Sequence, residues 1–416
     1  MKILIKNTFV YGYGDADILI ADGIITKIEK GIDCPDADKI YALYNCSVFP
    51  GFTDVHVHLR EPGYEYKETI LTGTKAAAAG GYTTVFSMPN LKPVPDSMTN
   101  LKLQLDAIDK DAVINVIPYG SLTKGQIGEE ISDMDDMAEY VCGFTDDGRG
   151  VQSEEMMRLC MSKAKGLGKI ISAHCEDEAL LNGGYIHDGE YARLNSHKGI
   201  CSESEWGPVK RDIELLKETK AMYHVCHVSA KETVELVREA KKDGIDITCE
   251  TGPHYLVFND MDLKEDGGFK MNPPIRSESD RLALIEGIKD GTLDMIATDH
   301  APHSKEEKSK GLKSLNGIVG LETAFPVLYT ELVLKGIITL DRLIELMSIN
   351  PAKRFGVDTS LKVGAGANLT VFNLNEEYAI NSADFLSMGK STPFENRKVN
   401  ARCYLTICNG NVAYER

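Results

Sequence analysis

Two histidines one residue apart, His56 and His58, lie in the apolar stretch DVHVHLREPG. In an extended strand, side chains at positions i and i+2 point to the same side, so both imidazoles can reach one ion. Neutral imidazoles are ligands for zinc and similar divalent metals. Taken alone, this spacing fits a metal site as well as it fits a polar strand end that happens to carry histidines.

Metal-ligand residue types also end four later predicted strands: Asp146 with Asp147, His174, His227 and Asp299. Each one alone is more simply explained as a hydrogen-bonded core histidine or as an aspartate in a turn. Core packing and turn formation do not explain why five different strand ends all carry residues that commonly bind metals. Four histidines and two carboxylates exceed the ligands of one tetrahedral ion. We therefore predict two metals bridged by one carboxylate, with Asp147 preferred to Asp146.

Two divalent cations that share a bridging water would lower its pKa and supply hydroxide near neutral pH. The same ions can polarise a carbonyl oxygen, so the predicted chemistry is hydrolysis of an amide or an ester. Asp299, in TDHAPH, could bind a metal and also carry a proton from the nucleophile to a leaving nitrogen. The alternative is that Asp299 is a metal ligand only.

Arg60 lies two residues beyond His58, and its guanidinium can hold a carboxylate through two parallel hydrogen bonds. Asn90 and His303 could add donors, and Asn272 could contact a ring amide. Together they predict an anionic substrate. The simpler alternatives are a structural salt bridge for Arg60, a cap for Asn90 and a solvated loop for His303. His254 is interpreted as structural, and the segment 304–314 as a solvated loop rather than a lid.

The composition narrows the class of protein. A formal net charge of −17 disfavours nucleic acid and anionic lipid as partners. No stretch approaches the roughly 20 apolar residues of a spanning helix, and the first residues lack the apolar core of a signal peptide. The ten cysteines form no CxxC pair, which indicates free thiols in a reducing compartment. We expect a cytoplasmic protein that acts on a small molecule.

Eight predicted strands, most of them followed by an amphipathic helix, fill residues 51–357. This order favours an α/β fold with a closed (β/α)8 TIM barrel, in which the candidate residues share the active-site face at the carboxyl ends of the strands. A doubly wound open sheet is the alternative, but HLREPGYEYKE is not a glycine-rich phosphate turn. Residues 1–50 and 358–416 alternate with period two and predict one small discontinuous β-sandwich domain.

Seven segments resemble those of the dihydroorotases of the amidohydrolase superfamily, in particular the bacterial type I class. In order they are DVHVHLREPG, SMPN, FTDDG, SAHCED, HVS, MNPPIR and ATDHAPH. The resemblance covers essentially the whole chain, and HLREPG together with TDHAPH is its most specific part. It implies zinc-dependent, reversible cyclisation of N-carbamoyl-L-aspartate to L-dihydroorotate, the third step of pyrimidine (UMP) biosynthesis.

The resemblance also implies a role for individual residues. One zinc ion would be held by His56, His58, Asp147 and Asp299, and the other by Asp147, His174 and His227. Hydroxide between the metals would attack the ring amide, with Asp299 as general base and acid. The substrate would contact His58, Arg60, Asn90, Asn272, His303, Asn316 and Gly317. Asn316 departs from the small or apolar residue expected there. A homodimer and an association with aspartate carbamoyltransferase are further family-level expectations.

Two other functions fit part of the pattern. An allantoinase or a hydantoinase would leave Arg60 without an anion to hold. Enzymes of that kind also favour a carboxylated lysine on the fourth strand, and FTDDG has none. A catalytically inactive subunit that scaffolds aspartate carbamoyltransferase would typically have lost metal ligands, whereas all six are present here.

Overall fold

Eight parallel strands form a closed barrel in the computed structural model, which describes all 416 residues. The barrel strands are Phe52–Val57, Tyr82–Ser87, Asn115–Pro118, Gly143–Phe144, Ile170–Ala173, Met222–Val225, Ile247–Thr251 and Met295–Ile296. They pair in this order as a three-stranded and a five-stranded sheet. Parallel bridges between Gly120 and Phe144 and between Val57 and His300 join the two sheets at both sides. The predicted (β/α)8 barrel is therefore confirmed.

Helices follow the barrel strands on the outside of the ring. The α-helices are Ile70–Ala79, Met98–Asp111, Met134–Met137, Glu154–Gly166, Glu190–Leu194, Glu203–Thr219, Lys231–Lys242, Pro253–Val257, Glu278–Asp290, Ala324–Leu328, Leu340–Ile344 and Asn350–Phe355. Two π-helical turns, Tyr329–Val333 and Glu345–Ile349, extend the helices before them. The helix starts follow local chemistry, since Thr69 and Ser277 each accept a backbone N–H and complete a capping box.

One eight-stranded sheet combines the two ends of the chain. Its strands run in the order Asn411–Glu415, Arg402–Cys408, Leu369–Asn373, Ser47–Pro50, Lys2–Val10, Gly14–Ala21 and Ile24–Glu29, and Lys39–Ala42 also pairs with Lys2–Val10. Within the strand Lys2–Val10, residues 3–6 pair with Lys39–Ala42, and Phe9 and Val10 pair with Ser47 and Val48. Side chains from both chain ends form one cluster of 15 buried apolar residues. Two short pairs complete the strands: Ile186–His187 with Gly199–Ile200, and Tyr378–Ala379 with Lys398–Val399.

Aromatic side chains attach the terminal sheet to the barrel. Phe372 of that sheet lies 4.5 Å, ring centre to ring centre, from Phe325, which lies 4.9 Å from Phe52 of the first barrel strand. All three belong to the largest apolar core, 73 buried residues that continue between the barrel and its helices. None of the helices combines the length and the apolar character needed to cross a membrane.

A buried carboxylate closes the ring between the first and last barrel strands. Asp54 accepts hydrogen bonds from the backbone N–H of Thr298 at 3.1 Å, from its Oγ1 at 2.6 Å and from the backbone N–H of His56 at 3.1 Å. These donors satisfy a side chain that has no exposed surface. Because His56 and Asp299 lie beside the anchored atoms, Asp54 fixes two strand ends that carry candidate ligands.

Candidate metal centre and substrate cavity

The six predicted ligand side chains meet at the carboxyl ends of the barrel strands. They are His56 and His58 from the first strand end, Asp147 from the fourth, His174 from the fifth, His227 from the sixth and Asp299 from the eighth. Each is at most 8% exposed. The barrel thus gathers residues that are up to 243 positions apart in the sequence into one buried cluster.

Asp147 lies at the centre of the four histidines. Its Oδ1 is 3.3 Å from Nε2 of His56, and 3.6 Å from both Nδ1 of His174 and Nε2 of His227. Its Oδ2 is 3.5 Å from Nε2 of His58. Burial acts to raise the pKa of Asp147, but His56 and the contacts with His174 and His227 hold it well below its usual value. An ionised carboxylate with both oxygens facing imidazoles can bridge two cations.

Asp146, the neighbouring candidate, points away from this cluster. Its Oδ1 accepts hydrogen bonds from the backbone N–H groups of Leu122 and Thr123 at 2.8 and 3.1 Å. The adjacent carboxylates therefore serve different purposes: Asp146 holds the loop after the third barrel strand, and Asp147 faces the histidines.

Asp299 faces the first pair of histidines. Its Oδ1 lies 3.1 Å from Nε2 of His58 and 3.5 Å from Nε2 of His56. Its backbone has φ = 48°, and His227 has φ = 37°. This left-handed conformation costs an ordinary residue roughly 1–2 kcal/mol. At both strand ends the backbone adopts this unfavourable conformation and turns sharply at the residue whose side chain enters the cluster.

The cluster fits a divalent metal. His56, His58 and Asp299 offer three ligand atoms within 4.8 Å of one another, and so do His56, Asp147 and His227. Nε2 of His56, Oδ1 of Asp147 and Nε2 of His174 are buried without a hydrogen-bond partner, although carboxylates and imidazoles lie nearby. Buried polar atoms without partners are costly. A cation bound by imidazoles and carboxylates would satisfy them.

Glu250, at the end of the seventh barrel strand, orients one of these histidines. Its Oε1 lies 2.8 Å from Nδ1 of His56, and its Oε2 lies 3.0 Å from Nε2 of His224. Burial acts to raise the pKa of Glu250, yet the contacts with His224 and His56 lower it to about 2. The carboxylate therefore keeps a proton on Nδ1 of His56 and leaves Nε2 free to face the centre. Sequence reasoning missed Glu250, although a glutamate in the buried strand ITCET signals a required partner.

A second glutamate links the metal centre to a predicted substrate contact. Oε2 of Glu176 lies 3.6 Å from Nε2 of His174, and its Oε1 accepts a hydrogen bond from Nδ2 of Asn272 at 2.9 Å. Glu176 follows His174 in SAHCED and was also missed. An i, i+2 carboxylate beside a candidate ligand is the signal that could have found it.

A cavity of about 250 Å³ opens above the centre, somewhat below the roughly 300–1,000 Å³ of most ligand pockets. Only Ala301 and Leu315 among its 14 lining residues are apolar, so the cavity suits a small polar molecule. Every residue predicted to contact substrate lines it: His58, Arg60, Asn90, Asn272, His303, Asn316 and Gly317. Asp147, His174, His227 and Asp299 form its floor.

One wall of the cavity is cationic. Arg60 is 9% exposed and donates from Nε to the carbonyl of Pro302 at 3.2 Å, while its NH2 group lies 3.3 Å from Nε2 of His303. Lys67, which sequence reasoning missed, places Nζ 3.3 Å from Nδ1 of His303 and 3.0 Å from Glu307. Burial, Arg60 and Lys67 lower the pKa of His303 to about 4, so its ring is neutral at pH 7.

Asn90 stands at the side of the cavity near Asp147. Its Nδ2 donates to the backbone carbonyl of Asp147 at 2.6 Å, and its Oδ1 has no protein partner. One N–H of the amide group stays available to a ligand. His254, in contrast, is buried and does not line the cavity.

Residues 46–233 match a protein-family model described as dihydro-orotase-like. A curated protein named dihydroorotase from Fusobacterium nucleatum subsp. nucleatum is 51% identical over 414 residues, which cover 99% of this chain and 96% of that protein. The chain belongs to the dihydroorotase family. A dihydroorotase from Bacillus cereus strain G9842 is 46% identical over 404 residues, covering 96% and 94% of the two chains.

Solved structures of related hydrolases share the fold. The chain superimposes on an L-hydantoinase (dihydropyrimidinase) from Arthrobacter aurescens with a TM-score of 0.88 at 27% identity, covering 99% of this chain and 96% of that one. A D-hydantoinase from a Thermus species gives a TM-score of 0.86 at 24% identity, with 99% and 95% covered. The dihydroorotase family thus shares its barrel and terminal sheet with enzymes named for other cyclic amides.

Proposed function

We propose that this protein is a dihydroorotase that reversibly interconverts N-carbamoyl-L-aspartate and L-dihydroorotate. The observation that carries the proposal is the position of Arg60, a buried guanidinium on the wall of a polar cavity whose floor is a candidate metal centre. Such a cavity matches a cyclic amide that also bears a carboxylate. Relatives at 46–51% identity carry the same name.

The guanidinium of Arg60 has donors to spare. Arginine carries five N–H groups, and in the structure only Nε and NH2 contact protein atoms. The remaining donors are available to a carboxylate, which a guanidinium binds in bidentate fashion. The charge of Lys67 is balanced by Glu307 at 3.0 Å, so Arg60 is the cation that faces the cavity. On a protein with a net charge of −17, this local positive charge allows an anion to bind.

We infer that two zinc ions occupy the centre. His56, His58, Asp147 and Asp299 would hold one, and Asp147, His174 and His227 the other. When bound, such ions acidify water and polarise a carbonyl oxygen. Asp147 supports this assignment because its Oδ2 faces His58 of the first set, while its Oδ1 lies 3.6 Å from both His174 and His227 of the second.

Asp299 is the proposed proton carrier. Its carboxylate lines the cavity, and interactions with His56 and His58 outweigh burial and keep its pKa below the usual value. It is therefore ionised at neutral pH and can take a proton from the nucleophile. In ring opening, Oδ1 or Oδ2 of Asp299 would deliver that proton to the leaving ring nitrogen, and in ring closure the proton would return the same way.

Other lining residues of the cavity would hold the ring. Asn272 and the segment Asn316–Gly317 line it, and Gly317 has φ = 134°. A Cβ at Gly317 would lie 2.5 Å from the carbonyl oxygen of Ala301, so only glycine allows the segment to approach the barrel this closely. We propose that this approach places Asn316, together with Asn272, beside the ring amide.

Other parts of the proposal rest on the sequence and on the family resemblance. We propose that residues 1–50 with 358–416 form a domain distinct from the barrel of residues 51–357. We also propose a cytoplasmic homodimer, with a possible association with aspartate carbamoyltransferase. Light scattering on the purified chain, alone and mixed with that enzyme, would test both assembly states.

Hydantoin hydrolysis is the second candidate function, because the L-hydantoinase fold matches over 99% of the chain. Unsubstituted hydantoin has no carboxylate, so it would leave the donors of Arg60 unused. The two functions separate in a turnover assay of the zinc-loaded protein on dihydroorotate, hydantoin and allantoin. We expect turnover of dihydroorotate; turnover of hydantoin alone would refute the proposal.

Replacement of Arg60 by methionine tests the same point within the cavity. Arg60→Met removes a charged, bidentate contact worth about 3 kcal/mol, so KM for dihydroorotate should rise roughly 100-fold. Arg193→Met, which replaces an exposed arginine, is the matched control and should leave KM unchanged. An unchanged KM in Arg60→Met would mean that Arg60 is structural.

A further inference from the structure

Lys308 is a buried lysine within a segment of otherwise exposed lysines. Its side chain is 6% exposed, whereas Lys305, Lys310 and Lys313 are exposed to solvent. Its Nζ donates to three backbone carbonyls: Lys270 at 2.9 Å, Leu315 at 2.8 Å and Gly317 at 2.6 Å. An ammonium group has three donors, and all three are used.

The three carbonyls belong to two separate segments of the cavity wall. Lys270 lies two residues before Asn272, and Leu315 and Gly317 flank Asn316. Asn272, Leu315, Asn316 and Gly317 all line the cavity. One backbone hydrogen bond, from the N–H of Gly317 to the carbonyl of Lys270 at 3.0 Å, also joins the two segments. The Lys308 ammonium reinforces that backbone link without being part of the cavity lining.

We propose that Lys308 is a positioning residue that holds residues 270–272 against residues 315–317 and thereby presents Asn272 and Asn316–Gly317 to the substrate. The inference rests on the proposed function for the identity of that substrate. Lys308 is not a substrate contact, because its three donors are already occupied and it does not line the cavity with the metal centre.

Packing alone does not explain why a lysine, with a charged ammonium group, is buried at position 308. A buried charge is costly unless it is hydrogen-bonded, and an apolar side chain would fill the same space without that cost. Burial and the nearby Lys270 act to lower the pKa of Lys308, while the three carbonyl oxygens around Nζ favour the charged form. What lysine adds over methionine is the set of three directed hydrogen bonds.

The segment itself is more firmly anchored than the solvated loop expected from its sequence. Leu312 is 1% exposed and Ser314 6% exposed. The N–H of Leu315 bonds to the carbonyl of Glu307 at 3.4 Å, and Glu307 pairs with Lys67. Lys305, Glu306, Lys310 and Lys313 are exposed, as a loop in solvent predicts, whereas Lys308 is buried.

Lys308→Met in the zinc-loaded full chain is the direct test, because methionine keeps the apolar stem and removes all three donors. We expect KM for dihydroorotate to rise roughly tenfold or more, while kcat changes less than about threefold and the zinc content stays the same. Amide hydrogen exchange should become faster at residues 304–317 and 270–272. Lys305→Met, an exposed lysine of the same segment, should change none of these quantities.

Three results would overturn the inference. The first is faster exchange with unchanged KM, which would make Lys308 structural only; the second is a loss of kcat at constant KM. If Lys308→Met does not fold, hydrogen exchange of the wild-type chain decides. In that case the backbone amides of residues 304–317 should be protected from exchange before substrate is added. Free exchange of these amides would be the third result that overturns the inference. If the wild type does not turn over dihydroorotate but Lys308→Met still exchanges its amide hydrogens faster, the proposed function is wrong. The inference that Lys308 holds the two segments together would then remain supported.

Discussion

The contact between Glu250 and His56 allows a sharp test of how the metal centre is built. In Glu250→Gln one carboxylate oxygen becomes an amide nitrogen of nearly the same size. The present carboxylate accepts a proton from each of two rings, His56 at 2.8 Å and His224 at 3.0 Å. A glutamine can accept at its oxygen only, so one of the two rings must reverse its tautomer.

The loss of zinc affinity depends on which of the two histidine rings changes its tautomer. If the amide N–H donates to Nδ1 of His56, the ring proton moves to Nε2, the atom that lies 3.3 Å from Asp147. That nitrogen then has no lone pair for a metal. Loss of such an orienting carboxylate typically weakens metal binding 10–100-fold, or about 1.4–2.7 kcal/mol. The burial of Glu250, 1% exposed, argues for the upper part of this range.

Zinc affinity is the quantity to measure, by titration of metal-free protein against a competing chelator. Glu286→Gln is the matched control, since Glu286 is an exposed helix residue paired with Lys289. We expect Glu250→Gln to bind zinc at least about tenfold more weakly than both the wild type and the control. At saturating zinc, much of the activity should return. An affinity within twofold of the wild type would refute the idea that Glu250 sets the tautomer of His56.

Two further predictions concern the proton carrier and the acid stability of the fold. Asp299→Asn should lower kcat roughly 100- to 10,000-fold in both directions at saturating zinc, as measured by the change in dihydroorotate absorbance; near-normal turnover would make Asp299 a ligand only. Burial lowers the pKa of His254 from 6.5 to about 4. The unfolded chain therefore takes up a proton between pH 6.5 and 4, so the contribution of neutral His254 is complete above pH 6.5 and is lost as the pH falls. From pH 7.5 to pH 4.5 the urea midpoint should fall further in the wild type than in His254→Asn, a difference of up to about 3 kcal/mol in stability, and equal pH dependence would contradict this.

The barrel and the meeting of the candidate ligands on one face could be predicted because both depend on local order along the chain. Eight apolar segments, most of them followed by an amphipathic helix, specify parallel strands with one shared face. His56 and His58 then follow from strand geometry, and Asp299 from its place at the last strand end. The face on which these residues meet is a property of the topology, so contacts across long sequence distances need not be known in advance.

The residues that sequence reasoning missed depend on pairings that no local pattern contains. Glu250 lies 194 positions from His56, and Lys308 lies 38 positions from the carbonyl of Lys270. The sequence likewise could not decide whether Asp146 or Asp147 faces the histidines. Adjacent strand-end residues point in different directions, and only the backbone N–H groups of residues 122 and 123 determine which carboxylate is used elsewhere.

Charge balance supports the proposal of two ions rather than one. Four carboxylates contact the histidine cluster: Asp147, Asp299, Glu250 and Glu176. Contacts with the histidines hold the pKa of all four below the usual value, and divalent cations at the same place would act in the same direction. Two divalent cations carry four positive charges and offset them. With a single ion the balance would have to come from protonated histidines, and a protonated imidazole has no lone pair for a metal. The number of buried carboxylates and the neutral state that the histidines need as ligands therefore both favour the proposed pair of ions over a single ion.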